Sequence, residues 1–331
     1  MTDGSGVKIA IVANKDDDTL TELKHLPDGA EVVIVGATEE DFAGDAAKDA
    51  LASCTVLLNC IGGRALISSL WPHMPNLKWM HSRFAGVDHV LFPELVASRV
   101  PLTNARGLFS SALAEYVALA CLYFAKDVDR WKAQQRDRVW EKFVVQEIRG
   151  QTLGVLGYGD IGQSAARLAK ALGMRVIAQR RNAAAPPDGV ADETFGPDGV
   201  GDVVARSDYV CVAAALTPET RGMLGAAALA RARPHTVIIN VGRGPLIDEA
   251  ALAEALREGR VRGAALDVFE TEPLPRDSAL WGMGNVLLSP HNADMTATFL
   301  HDSVRRFAQD AARFARGEPF TLHVVDKEKG Y

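Results

Sequence analysis

The 331-residue sequence contains no run of lysine and arginine, no apolar stretch of membrane-spanning length, no paired cysteine motif and no internal repeat. Each absence excludes something. Basic residues number 36 against 42 acidic ones, a formal charge of −6, so the chain lacks the cationic footprint of a nucleic-acid binder. Its longest apolar stretch, ALAEYVALACLYFA at 112–125, is interrupted by Glu115 and falls short of the ~20 residues a membrane helix needs. It reads as a buried helix, with no membrane partner. Cys54, Cys60, Cys121 and Cys211 stand apart in apolar segments without Cys-x-x-Cys or Cys/His spacing, which predicts buried thiols in a reducing compartment and no metal site. The opening MTDGSGVKIAIVAN has no basic n-region or apolar h-region, so a cytoplasmic protein is expected. With 48% hydrophobic and 24% charged residues, disorder is expected only in the polar tail DKEKGY.

What is present is a strand-and-helix rhythm, run twice. VKIAIVA, EVVIVGA, TVLLNCI, LKWMHS and VPLTN are the strand candidates of the first round. TLGVLG, RVIAQ, DYVCVAA, TVIINVG, GAALDVF and NVLLSP are those of the second, which follows the apolar helix and the charged connection RWKAQQRDRVWEKFVVQEIRG. Helical segments between strands imply parallel sheets covered on both faces. The expectation is an α/β protein of two doubly wound domains with a cleft between them. Residues 1–103 with 292–331 form a flavodoxin-like unit onto which the last helix folds back, and 104–291 form a Rossmann unit for a dinucleotide.

Within GVLGYGDIGQSAARLAKALGMRVIAQRRN, Gly157, Gly159 and Gly162 have the spacing Gly-x-Gly-x-x-Gly between a strand and an amphipathic helix. That context gives the glycines a job. Gly157 permits a tight turn, Gly159 lets backbone approach a pyrophosphate, and Gly162 allows close helix-strand packing, with Tyr158, Asp160 and Ile161 filling the loop. An acid normally stands at the end of the next strand to accept a ribose 2′-hydroxyl. Here Arg180 and Arg181 stand there instead, a pair suited to a 2′-phosphate, so NADP is expected in preference to NAD.

Three further residues fall at the carboxyl ends of the last three strand candidates, where open α/β sheets bind ligands. Arg243 follows TVIINV, Glu272 follows GAALDVF and His291 follows NVLLS. Arg243 can bind a carboxylate and polarise the carbonyl beside it, His291 can protonate that carbonyl oxygen, and Glu272 can orient the imidazole. The combination predicts hydride transfer between a nicotinamide and a 2-oxo acid. His81 and His89 read as structural, and Asp248 and Glu249 as caps of the helix that follows.

In these motifs the chain resembles the D-isomer-specific 2-hydroxyacid dehydrogenase family along nearly its whole length. The motifs are AGVDH at 85–89, TNARG at 103–107, LTPETRGML at 216–224, NVGRGPLID at 240–248, ALDVFETEPLP at 265–275 and LSPHNAD at 288–294. The resemblance implies that Arg243, Glu272 and His291 are the catalytic residues. It also implies substrate contacts at Phe84, Ala85 and Gly86, cofactor contacts at Thr217, Val241 and Asp267, and a homodimer built on the apolar helix and the Trp131/Trp140 arm. Phe84, preceded by Arg83, departs from the small residue usual before Ala85 and would narrow the pocket or add a second cation to it. Arg106 stands where the family commonly has proline, and no regulatory extension is expected beyond the last helix. The reading is a reductase of small 2-oxo acids such as glyoxylate or hydroxypyruvate. The alternatives are a D-lactate-type or longer-chain dehydrogenase, or a dinucleotide-sensing scaffold that binds partner proteins.

Overall fold

The computed structural model describes residues 7–182 and 184–331; residues 1–6, part of the opening read above for targeting signals, lie outside them. The chain divides into two compact units, Met1–Phe109 with Thr296–Tyr331, and Ser110–Met295.

In the first unit β1 (Lys8–Val12), β2 (Glu31–Gly36), β3 (Val56–Asn59), β4 (Trp79–Ser82) and β5 (Leu102–Asn104) form a parallel sheet in the order 2-1-3-4-5. This is the flavodoxin-like order. β1 reads as an apolar run because both of its faces are covered: Ile9 and Ile11 join one core, while Ala10 and Val12 join the other. The last helix, Phe299–Ala315, buries Ser303, Val304, Phe307, Ala308 and Ala311 from a single face. Phe307 meets the fully buried Trp79 at 5.0 Å between ring centroids. Burial of a side chain of this size contributes about 2 kcal/mol.

The second unit holds β6 (Thr152–Leu156), β7 (Arg175–Gln179), β8 (Glu193–Phe195), β9 (Tyr209–Val212), β10 (Val237–Asn240), β11 (Gly263–Leu266) and β12 (Val286–Leu288). Their order is 8-7-6-9-10-11-12, a Rossmann arrangement with one strand added beyond the usual six. Chain order reverses between β6 and β9, so the loops after these strands open at a topological switch point.

Five details differ from the sequence reading. The first sheet gains β13 (His323–Val324), antiparallel on β5, and the second gains the half-buried edge strand β8. The unit boundary lies at 109/110, not 103/104, because Phe109 packs edge-on against Phe299, 5.8 Å away. The other boundary lies at 295/296, not 291/292, because the amides of Asn292 and Ala293 bond to Asp267 in the second unit. The polar tail is tethered as well, since Lys327 Nζ donates at 2.8 Å to the carbonyls of Leu95, Ser98 and Val100. Among the described residues no helix is long and apolar enough to cross a membrane.

Candidate active site

The glycine loop follows β6 at the switch point. Gly157 has φ +92°, and a Cβ there would strike the backbone of Ala214; one on Gly162 would strike the Gly157 carbonyl. The loop therefore lies tight against the next crossover, and helix Asp160–Ala171 starts from Gly159 with no side-chain cap. Its first-turn amides are left for a ligand, and the helix dipole makes that ligand an anion. A dinucleotide pyrophosphate fits this cradle. Asp160 is held from behind by the Ser110 hydroxyl, and the Tyr158 hydroxyl donates to Asp188 Oδ2 at 2.8 Å, pinning the loop after β7. Ile161 is half-buried, and Val241 is buried, with its amide on Val212 O at 3.1 Å. The Thr217 amide donates to Thr220 Oγ1 at 2.8 Å.

The two arginines after β7 divide. Arg180 turns its guanidinium to the carbonyls of Ala185 and Pro186, while Arg181 is exposed and lies within electrostatic reach of Glu219.

Arg243, Glu272 and His291 occupy the ends of the neighbouring strands β10, β11 and β12. The turn that carries Arg243 is built by Asn240, whose side chain donates to Arg243 O at 3.1 Å and accepts from Gly242 N at 3.1 Å. Gly244 must be glycine, because a Cβ would fall on the Phe269 carbonyl; this contact brings the Arg243 turn against the Glu272 loop. That loop is tied further by Glu249, which accepts from the Glu270 amide at 3.0 Å. Glu249 was expected to cap its own helix. Only Asp248 does so, accepting from Ala251 N at 2.9 Å.

Glu272 uses both carboxylate oxygens. One accepts from the Phe269 amide at 2.9 Å and the other lies 2.8 Å from His291 Nδ1. The ring is thereby oriented with Nε2 turned away from the carboxylate, and at 43% side-chain exposure the imidazole is reachable. His291 has φ +53°, a left-handed conformation that costs about 1 kcal/mol for a residue with a Cβ. Asp267, 1% exposed at the end of β11, offsets this cost. Its Oδ1 accepts from Ser289 Oγ at 2.6 Å, Asn292 N at 2.9 Å and Ala293 N at 3.1 Å. Hydrogen bonds to a charged acceptor contribute about 1.5 kcal/mol each, so the three outweigh the strain.

Sequence reasoning did not single out Asp294 within the LSPHNAD motif. Burial raises its carboxyl above the ordinary value; the charge of Asp267 adds to this, while His291 and Arg243 oppose it. The carboxylate therefore shares the electrostatic environment of the Arg243 and His291 side chains.

In the first unit the carbonyls of Arg83, Phe84 and Ala85 are bonded within the unit. Ser303 Oγ donates to Arg83 O at 2.7 Å, Ala105 N to Phe84 O at 3.2 Å and Asn104 Nδ2 to Ala85 O at 2.6 Å. Phe84 is half-buried, edge-on to His89. Arg83 is not the extra pocket cation that the sequence suggested. It is 5% exposed, and its guanidinium donates to Asp17 at 2.7 Å and Thr19 at 3.1 Å. Burial alone would raise the Asp17 carboxyl, but the Thr19 hydroxyl and the Arg83 charge together hold it below its usual range. His81 is a core residue, with Nδ1 2.8 Å from Thr103 Oγ1 and its ring stacked on Phe307. Among the described residues no group of three or more His, Cys, Asp or Glu is placed to hold a metal ion.

Comparison with known proteins places this geometry. Residues 118–293 match the family described as D-isomer specific 2-hydroxyacid dehydrogenase, NAD binding domain. A D-3-phosphoglycerate dehydrogenase of Methanocaldococcus jannaschii is 31% identical over 94% of this chain, which spans 58% of that relative's length. A D-isomer specific 2-hydroxyacid dehydrogenase of Xanthobacter autotrophicus, solved with NADPH and MES, is 32% identical with a TM-score of 0.82, covering 99% of this chain and 100% of its own. An NADPH-dependent glyoxylate/hydroxypyruvate reductase of Sinorhizobium meliloti, solved with NADP and sulfate, is 30% identical with a TM-score of 0.81, covering 98% of this chain and 100% of its own. The chain belongs to the D-isomer specific 2-hydroxyacid dehydrogenase family.

Proposed function

We propose that this protein reduces a small 2-oxo acid to the D-2-hydroxy acid with NADPH, glyoxylate and hydroxypyruvate being the preferred substrates. The observation that carries the reading is the Glu272–His291 pair, 2.8 Å apart, on strand ends adjoining that of Arg243. In this reading Arg243 binds the substrate carboxylate and polarises the neighbouring carbonyl. His291 delivers its Nε2 proton to the carbonyl oxygen, and Glu272 on Nδ1 holds the ring in place and offsets its charge. NADPH, whose pyrophosphate the glycine cradle would hold, would supply the hydride. Backbone amides at Ala85 and Gly86 assist with the carboxylate, and Phe84 restricts the length of the substrate side chain.

NADPH is favoured over NADH because β7 ends on Gln179 and is followed by two arginines, with no acid to repel a 2′-phosphate. Arg181 is the phosphate contact, and Arg180 shapes the loop beneath it. The Xanthobacter and Sinorhizobium relatives, solved with NADPH and NADP, agree with this choice.

The working form in this reading is a homodimer. Leu119 and Leu122 on helix Ser110–Lys126 are exposed, and Trp140 and Val144 of the following arm are 97% and 96% exposed. Exposed apolar side chains of this size support an interface there. Four unpaired, buried thiols suit the cytoplasm. Turnover of each nicotinamide cofactor against a panel of 2-oxo acids tests the whole reading.

A further inference from the structure

We propose that the second unit carries an anion site of its own at the amino ends of its strands, built from Arg175, Arg206 and Arg233. The site is suited to a phosphate group, either as the free ion or as the monoester of a small molecule. The glycine cradle, Arg243, Glu272 and His291 all lie at the carboxyl ends of the same sheet, so this site stands apart from the reaction. Thr152 opens β6 in register with Arg175, which opens β7. Arg206 closes the helix Val200–Arg206, and Arg233 stands in the turn before β10. Together with Ile177 these residues line a cleft of about 240 Å³.

The cleft holds more positive charge than its own acids neutralise. Glu193 answers two guanidiniums: Arg206 bonds both of its oxygens, and Arg175 Nη2 donates to Oε2 at 3.2 Å. Asp208 faces Arg233, but its oxygens are taken by the Thr152 amide at 2.7 Å and by His235 Nε2 at 2.9 Å, and Arg233 Nη1 stays 3.9 Å away. Among the described residues the Arg233 guanidinium thus donates no hydrogen bond. The other acids nearby have their own cations, Asp202 with Arg231 at 2.7 Å and Asp192 with Lys170 at 2.8 Å. Three guanidiniums against two engaged carboxylates leave a net positive cleft, and a cleft lined by one sign of charge concentrates its field. Arg175 and Arg206 already grip one carboxylate, so their forks are set for an oxyanion. Their remaining N–H groups and those of Arg233 match the double charge and several oxygens of a phosphate better than a single carboxylate. The three side chains are 51%, 38% and 46% exposed, so the ligand enters from solvent and its binding is weakened by salt.

Calorimetric titration of inorganic phosphate into the NADPH-saturated protein at low chloride tests the site, with the bound cofactor keeping phosphate out of the glycine cradle. Wild type is expected to bind with a Kd of about 1 mM, the strength of two or three charge-assisted hydrogen bonds. Arg233→Gln removes donors that bond nothing in the protein, so the fold is kept, and thermal melting checks this. Binding is expected to weaken about 10-fold in Arg233→Gln and again in Arg175→Gln, and to persist in Arg243→Gln, whose altered side chain lies at the other end of the sheet. Should Arg175→Gln fail to fold, Arg233→Gln decides alone. Equal affinity in wild type and Arg233→Gln, loss of binding in Arg243→Gln only, or a wild-type Kd above about 100 mM would overturn the proposal. Glycerol 2-phosphate binding as tightly as phosphate identifies a monoester as the ligand, and binding of phosphate alone identifies the free ion. Acetate binding as tightly as phosphate would contradict a site built for a doubly charged oxyanion.

Discussion

Glu272 Oε2 lies 2.8 Å from His291 Nδ1, while its other oxygen is held by the Phe269 amide at 2.9 Å. A carboxylate fixed by its own loop thus fixes the imidazole of the next strand end. The ring is preorganised before any substrate arrives.

In the proposed reading, His291→Ala removes the proton donor and leaves the glycine cradle untouched. Turnover is expected to fall about 10²-fold or more, with NADPH affinity within a few-fold of wild type. Stopped-flow rates together with fluorescence titration check both halves. A protein that only senses the dinucleotide would keep its partner binding in this variant.

The cofactor assignment separates the two arginines. Arg181→Asp places a carboxylate where a 2′-phosphate would sit and is expected to shift preference from NADPH toward NADH by about 10-fold or more. Arg180→Asp removes the guanidinium that bonds the Ala185 and Pro186 carbonyls. It is expected to weaken both cofactors together. The ratio of kcat/KM values for the two cofactors decides, and an unchanged ratio in Arg181→Asp contradicts the assignment.

Acid stability follows from His81. Burial holds its imidazole down to about 3, against about 6.5 in an unfolded chain. A depressed value means that the unfolded chain binds the proton first, so this contribution is complete above about pH 6.5 and is lost as the pH falls toward 3. His81→Gln, which cannot titrate, is expected to show a flatter dependence of Tm on pH between about 6.5 and 4. Equal slopes in the two proteins would exclude His81 as the source.

Association is tested at the arm. Wild type is expected to sediment at twice the 35.5 kDa chain mass, and Trp140→Asp combined with Val144→Asp at the single mass. Secondary structure should be retained, since both side chains are more than nine-tenths exposed.

Much of this architecture is legible in the sequence, for reasons that also mark where legibility ends. Apolar runs between helical segments make β1–β7 and β9–β12 stand out, whereas the mixed triplet Glu193–Phe195 and the dipeptide His323–Val324 carry no such pattern. Glycine spacing and strand-end placement bring out Arg243, Glu272 and His291. The bonds that organise them are another matter. Asp267 reaches Ser289, Asn292 and Ala293 across 22 to 26 positions, and Arg83 finds Asp17 across 66. No periodicity encodes such pairs, because only the folded sheet brings them together. Arg83 consequently looked like a pocket cation when its charge is spent inside the first unit.

The measurement that bears most directly on the central claim is the initial rate of NADPH and NADH oxidation, run in parallel against glyoxylate, hydroxypyruvate, pyruvate and a bulkier 2-oxo acid. The account predicts rapid oxidation of NADPH with glyoxylate or hydroxypyruvate, slower oxidation of NADH, and weak turnover of the bulky acid. Preference for NADH would contradict the arginine argument and leave the reaction class standing. Absence of turnover with every acid would contradict the enzyme reading itself.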